Sequence, residues 1–170
     1  MSGAAGSPVD WSGWVAEIPA TLLFIVADGR VLLIRKKRGI GAGKVNGPGG
    51  KIESGETARE SAVREAREEL HVTALDPVKV GELWFAMSDL PDIHCQVFRA
   101  TRYTGTPTET PEAVPLWTPV EAIPFDDMWE DDRHWLPRML AGEGFLGRFV
   151  FEGERIVWKE LRFGVEWGAE

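Results

Sequence analysis

Between Gly39 and Gly50, six glycines and one proline fall within twelve residues. Regular structure does not easily accommodate that density, because glycine loses the most backbone entropy on ordering and proline lacks a donor. The segment is therefore a shaped loop, and its flanks must supply the order. Upstream, Thr21-Leu22-Leu23-Phe24-Ile25-Val26 is a run of β-formers, Asp28-Gly29 offers the two positive-φ positions of a hairpin turn, and Val31-Leu32-Leu33-Ile34 returns. Downstream, Thr57 and Glu60 match a capping box, and Val63, Ala66 and Leu70 recur at spacings of three and four, which predicts a helix from Thr57 to near His71.

Strand-like runs follow at Val80 to Phe85, Ile93 to Ala100 and Val114 to Trp117. A second helix is expected from about Asp132 to Leu140, with Trp135, Leu136, Met139 and Leu140 as its buried stripe and Pro137 forcing a late start or a kink. Phe149 to Phe151, Gly153 and Ile156 to Leu161 read as a closing hairpin. Strands and helices mix without regular βα alternation, so the class is α+β, a mixed sheet between helices. The chain of 170 residues, 44% apolar and 27% charged, suits a single domain over residues 14–170. Residues 1–13, small and polar, read as a disordered tail.

Composition also restricts function. A net charge of -8 argues against long nucleic-acid polymers, whose affinity comes from lysine and arginine on phosphates, so a phosphorylated ligand needs bridging cations. No run approaches a membrane span, and Met1 to Asp10 lacks the basic flank and apolar core of a signal peptide. Cys95 is the only cysteine, alternates with Ile93 and Val97, and reads as a small core residue. A monomeric, unexported protein of the cytosol is the expectation. His71, His94 and His134 show no paired metal spacing.

Glu65, Glu68 and Glu69 stand at i, i+3 and i+4 on the first helix, so their carboxylates share one face within a turn. Such crowding destabilises a helix by roughly 0.2–0.5 kcal/mol per pair, and a divalent cation reverses the sign. Mg²⁺ suits the role, since it takes a few carboxylates together with substrate phosphates. On spacing alone, a solvated acidic face is an equal reading. Pro48-Gly49-Gly50 shifts the balance, because glycines there permit close backbone approach and a carbonyl ligand.

The run Gly50, Glu56, Arg64, Glu65, Ala66, Glu68, Glu69 and Val72 resembles the Nudix box, G-x5-E-x7-R-E-U-x-E-E-x-G-U, with U apolar; His71 stands where the family usually has glycine. The resemblance implies the Nudix fold and attack of water on a diphosphate linkage. It makes Glu65, Glu68 and Glu69 metal ligands, Gly49 or Gly50 a carbonyl ligand, and Arg64 the partner of Glu56 in holding the loop. Lys51 is either a phosphate contact or an exposed loop cation.

Beyond the box, Lys36-Lys37-Arg38-Gly39, Gly41-Ala42-Gly43, Asn46-Gly47, Ile123-Pro124-Phe125 and Asp127-Met128-Trp129 with Asp131-Asp132 resemble the oxidised purine nucleoside triphosphate hydrolases, the mammalian-type homologues of MutT. Carried over, Thr21, Lys36 and Asn46 line a base pocket, Trp129 stacks on the base, and Asp131 and Asp132 hydrogen-bond its edge. Glu112 matches a further carboxylate near the metals. Ile40, Val45 and Pro48 occupy pocket positions where relatives carry aromatic residues, which implies a wider pocket.

Each assignment has a plainer competitor: Asp131 and Asp132 as helix N-terminal carboxylates, Asn46 as half of an Asn-Gly turn, Trp129 as core. Two carboxylates so close in a pocket cannot both ionise freely, so one would donate a hydrogen bond while the other accepts. The expected reaction is Mg²⁺-dependent cleavage, with Mn²⁺ as a substitute, of a nucleoside triphosphate to monophosphate and pyrophosphate. Glu65, Glu69 and Glu112 are the candidate bases. The alternatives are another diphosphate substrate, such as a nucleotide sugar or dinucleoside polyphosphate, and a nucleotide-binding regulator without catalysis.

Overall fold

The computed structural model describes residues 6–168. The expected first hairpin is present: β1 (Ile18–Ala27) turns through Asp28 and Gly29, at φ 54° and 73°, into β2 (Arg30–Lys36). The glycine-rich loop is shaped as expected, with Gly39, Gly41 and Gly43 all at positive φ. It also contains two short strands, β3 (Val45–Asn46) and β4 (Gly49–Lys51). Helix α1 (Ala58–Leu70) starts on the complete capping box of Thr57 and Glu60. It ends at His71, which itself adopts the left-handed conformation, φ 62°, that glycine normally fills.

After α1 come β5 (Val72–Leu75), β6 (Val78–Met87), β7 (Ile93–Ala100), β8 (Arg102–Gly105) and β9 (Ala113–Pro119). Helix α2 (Asp132–Leu140) contains Pro137, and β10 (Phe145–Glu152) and β11 (Arg155–Phe163) close the fold. The main sheet runs β11-β10-β6-β7-β1-β2-β3, with β4 added to β1 and β9 to β2. The β1/β7 and β6/β10 pairs are parallel, and the remaining pairs are antiparallel. A separate ribbon, β5 with β8, was not anticipated; both strands are four residues long and carry too little pattern to stand out.

Alternate residues of β1 and β2 feed two cores. Leu23, Ile25, Leu32 and Ile34 meet α1 through Ala58, Ala62, Ala66 and Leu70. Phe24, Val31 and Leu33 meet α2 through Trp135, Leu136 and Met139. The buried stripe of α1 is thus an i, i+4 series of small residues, whereas the expected Val63 is only half-buried. Three alanines let the helix axis lie close to the sheet, which holds its carboxylates against β4.

Residues 1–5 of the expected tail lie outside the described residues. Residues 6–13 do not behave as a tail. Trp11–Gly13 forms a single 3₁₀ turn capped by Asp10, and Trp11 packs near Trp14, Trp84 and Trp158. The aromatic side chain, which small polar neighbours disguise in the sequence, supplies the burial that orders the segment. Among the described residues, no helix is long and apolar enough to cross a membrane.

Candidate active site

Two features face each other at the mouth formed by β1, the glycine-rich loop and α2. The first is a carboxylate cluster. Glu65, Glu69 and Glu112 each place one oxygen so that all lie within 4.8 Å of one another. Glu69 is 4% exposed, and its Oε1 accepts a 2.8 Å hydrogen bond from the Gly49 N–H. Burial, reinforced by Glu65 and Glu112, pushes its carboxyl up to about 8 despite that bond, and burial likewise raises Glu65. Arg64 Nη1 lies 3.2 Å from Glu65 Oε2 and Arg38 Nη2 3.3 Å from Glu112 Oε1, so the cluster is neutralised only in part. Three carboxylates at this spacing fit a hard divalent cation, which removes the remaining repulsion and takes oxygen ligands.

The backbone geometry explains the glycines. A Cβ on Gly49 would lie 2.0 Å from the Thr21 carbonyl oxygen, and one on Gly50 would lie 2.3 Å from Glu65 Oε2. Only glycine lets β4 run between β1 and α1 at this distance. Glu112 arrives from the loop before β9, where its N–H donates to Thr110 Oγ1 at 3.2 Å and Thr110 in turn donates to the Glu69 carbonyl at 2.8 Å.

Arg64 anchors the other side of the loop. Its Nε and Nη2 donate to the two oxygens of Glu56 at 2.9 and 2.7 Å, and Nη2 also reaches the Lys51 carbonyl at 3.0 Å. The Arg64 hydrogen bonds hold Glu56 down at about 2, so this pair stays charged. Glu68 is not gathered into the carboxylate cluster: its side chain is 51% exposed and lies 3.1 Å from Arg64 Nη1. The i, i+3, i+4 spacing places three carboxylates on one face, but β4 covers only the part of that face that carries Glu65 and Glu69. Lys51 is exposed and borders the cleft.

The second feature is a cleft of about 320 Å³. Lys36, Asn46, Gly49, Gly50, Trp129, Asp131 and Asp132 border it as the sequence predicts. Lys36 donates to the Ile40 carbonyl at 2.7 Å and so braces the loop, and Asn46 Oδ1 accepts from the Gly47 N–H at 2.8 Å. Thr21 reaches the cleft boundary, but its buried hydroxyl lies 3.3 Å from Ser61 Oγ, because it alternates onto the α1 face with Leu23 and Ile25. Pro48 and Val45 are buried away from the cleft, and of the three departures only Ile40 borders it. The turn into β4 directs Pro48 to β1, where its carbonyl accepts from the Leu23 N–H at 2.9 Å.

Asp131 and Asp132 are 2% and 3% exposed, too buried for ordinary helix-end carboxylates. Asp131 makes no capping bond; its Oδ2 accepts from Trp135 Nε1 at 2.8 Å. Asp132 Oδ2 has no hydrogen-bond partner. Burial pushes Asp131 up to about 6 and Asp132 well above its ordinary value, the latter reinforced by its neighbour's charge. Burial and the charge of each carboxylate on the other both favour one proton held on the pair, which then carries both a donor and an acceptor. Trp129 meets Phe151 edge-on, with Lys44 Nζ 5.0 Å from its ring centroid.

Phe85, Met87, Ile93 and Cys95 also line the cleft, and nothing in their sequence context marks them as site residues. They alternate on β6 and β7, and only the neighbour relations of the sheet bring them to the cleft. Cys95 is core-like as expected, with its thiol pushed up by burial.

This fold and this loop-and-helix carboxylate site belong to one family: residues 17–139 match the NUDIX domain, and the chain is a Nudix hydrolase. Nudix hydrolases generally use a divalent metal, and the Glu65, Glu69 and Glu112 set fits one. The chain is 45% identical over 140 residues to the oxidized purine nucleoside triphosphate hydrolase of Danio rerio, covering 81% of this chain and 88% of the relative. It is 42% identical over 137 residues to the mouse protein of the same name, covering 79% and 86%. The fold is shared with the MutT protein of Bacillus halodurans, at a TM-score of 0.75 and 24% identity, over 85% of this chain and 97% of that one.

Proposed function

We propose that the protein hydrolyses oxidised purine nucleoside triphosphates, 8-oxo-dGTP and 2-oxo-dATP among them, to the monophosphate and pyrophosphate, and so clears damaged nucleotides from the free pool. The observation that carries this reading is the buried Asp131–Asp132 pair bordering the same cleft as Gly49 and Gly50, beside the carboxylate cluster. The 45% and 42% identical relatives, whose names specify oxidised purine triphosphates, support it.

Glu65, Glu69 and Glu112, with a carbonyl of Gly49 or Gly50, would hold Mg²⁺, or Mn²⁺ in its place. Glu68, half-exposed one turn along α1 and 3.1 Å from Arg64 Nη1, would join them if it turned from that arginine. Cations held there would neutralise the triphosphate and the charge that develops in the transition state. The Arg64–Glu56 pair keeps β4 and the glycines fixed on α1, which holds the carboxylates at a constant separation. A carboxylate of Glu65, Glu69 or Glu112 accepts the proton of the attacking water. Lys51 lies on the exposed rim for the phosphates.

On the base side, Trp129 supplies a face for stacking, worth roughly 1–3 kcal/mol per base. The protonated member of the aspartate pair donates to a base acceptor, and the other accepts from a base N–H. Purines whose oxidation adds a carbonyl and an N–H present both kinds of group to this pair. Lys36 and Asn46 also border the pocket. A free nucleotide in the cytosol, met by a monomeric enzyme, is consistent with the acidic charge of the chain.

Pyrophosphate release with Mg²⁺ from 8-oxo-dGTP, 2-oxo-dATP, dGTP and dATP tests the assignment. A kcat/KM that strongly favours an oxidised purine supports it. Equal slow turnover of all four would refute it and redirect the search to nucleotide sugars or dinucleoside polyphosphates.

A further inference from the structure

The segment ahead of β1 forms a strap across the face of β6 and β10 that is turned away from the cleft. Trp84 alternates with Leu83 and Phe85 and so stands on that outer face. Trp14 stacks on it with ring centroids 5.4 Å apart and planes at 13°, and the Arg148 guanidinium sits 4.4 Å from the same ring centroid. Trp14 also reaches the turn between β6 and β7. Its indole Nε1–H donates to Asp92 Oδ2 at 3.0 Å.

Asp92 is a junction. Its other carboxylate oxygen accepts from the Met87 N–H at 3.0 Å, and its carbonyl accepts from the N–H groups of Glu17 and Ile18, both at 3.1 Å. Ile18, Met87 and Ile93 border the cleft, so one residue fixes the start of β1, the end of β6 and the start of β7 at the same wall. The match to the family domain begins at residue 17, and Trp14 lies before it.

We propose that Trp14 is a positioning residue for the base-binding wall, acting through Asp92 on Met87 and Ile18. The strap thus tunes how tightly the base is held, with no part in the chemistry at the carboxylates. This rests on the reading of the cleft as a base pocket. The carboxylate side is anchored separately by Arg64, so the strap affects binding and not turnover.

The test is Trp14→Phe, which removes the indole donor and keeps a six-membered aromatic ring to pack on Trp84. Loss of one bond to a charged acceptor should raise KM for the oxidised purine triphosphate by about fivefold with kcat within about twofold, because the Met87 bond survives. Hydrogen exchange at the Met87 amide, read without any substrate, should accelerate. In an Asp92→Ala background the substitution should add nothing to either readout. Unchanged Met87 exchange and unchanged KM would overturn the inference, as would a fall in kcat alone. Should none of the oxidised purines be turned over, the substrate assignment fails, while Met87 exchange still decides whether the strap sets the wall.

Discussion

Gly50→Ala separates catalytic positioning from folding at a single atom. Gly50 is not among the positive-φ glycines, so alanine meets no backbone strain there. The new Cβ would lie 2.3 Å from Glu65 Oε2 and 2.6 Å from Cδ, against an ordinary contact of about 3.4 Å. The carboxylate must therefore retreat by about 1 Å. It is the far end of a flexible side chain, so the movement is cheap for the fold. Replacing glycine also reduces the entropy of the unfolded chain by about 0.4–1 kcal/mol, which offsets part of the clash. For catalysis the same 1 Å is expensive, since misplacing a reacting constellation by that distance costs about a hundredfold. The expected result is a kcat about a hundredfold lower at saturating Mg²⁺, with urea-unfolding stability within about 1 kcal/mol of the parent. Gly49→Ala provides the contrast: its Cβ would meet the Thr21 carbonyl at 2.0 Å, a backbone atom that cannot swing aside. It should lose about 1–3 kcal/mol of stability as well as activity. A Gly50→Ala enzyme with near-normal kcat, or one that loses activity only in step with stability, would refute the placement of Glu65.

The remaining predictions concern other parts of the site and the sheet. Glu69→Gln should lower kcat by orders of magnitude without unfolding, and chelation of divalent cations should abolish turnover reversibly while circular dichroism stays constant. Asp131→Asn or Asp132→Asn should change the oxidised-to-normal purine ratio of kcat/KM by about tenfold to a hundredfold, more than it changes turnover of a generic triphosphate; an equal effect on every base would return these residues to a structural role. Trp129→Ala should raise KM for purine triphosphates by about tenfold, the size of a lost base stack, with kcat less affected. Burial of Glu82 alone would raise its pKa, but hydrogen bonds from His94, Lys79 and Trp84 outweigh it and hold the group at about 2. A lowered carboxylate pKa contributes stability that is complete above its ordinary value of 4.5 and is lost as pH falls through about 2. Glu82→Gln should therefore flatten the acid limb of the stability curve measured by urea unfolding, and an unchanged limb would show that other groups control it.

The elements that were legible beforehand are those defined over a few residues. The capping box of Thr57 and Glu60, the Asp28-Gly29 turn and the Glu65–Glu69 spacing all act within one turn of chain, where geometry follows from residue order. The Arg64–Glu56 pair and the Asp131–Asp132 pair were also readable, because a motif places their partners at fixed separations. What residue order does not give depends on neighbours distant in the chain. Thr21 borders the cleft, but the pleat of β1 turns its hydroxyl to Ser61, and the turn into β4 buries Pro48. Glu68 shares a helix face with Glu65 and Glu69, but β4 covers only part of that face, which leaves its side chain half-exposed beside Arg64.

By itself, then, the sequence determined the reacting end of the protein: a glycine-rich loop, a capped helix and carboxylates at one-turn spacing, all within about thirty residues. Tertiary structure alone decided the apolar wall of the cleft. The parallel pairing of β1 with β7 and of β6 with β10 brings Ile18, Met87, Cys95 and Phe151 to one cleft. The same sheet folds Trp14 onto Trp84 and Asp92. Periodicity tells which residues share a strand face, but not which strands lie side by side, because that choice is made by burial across the whole sheet.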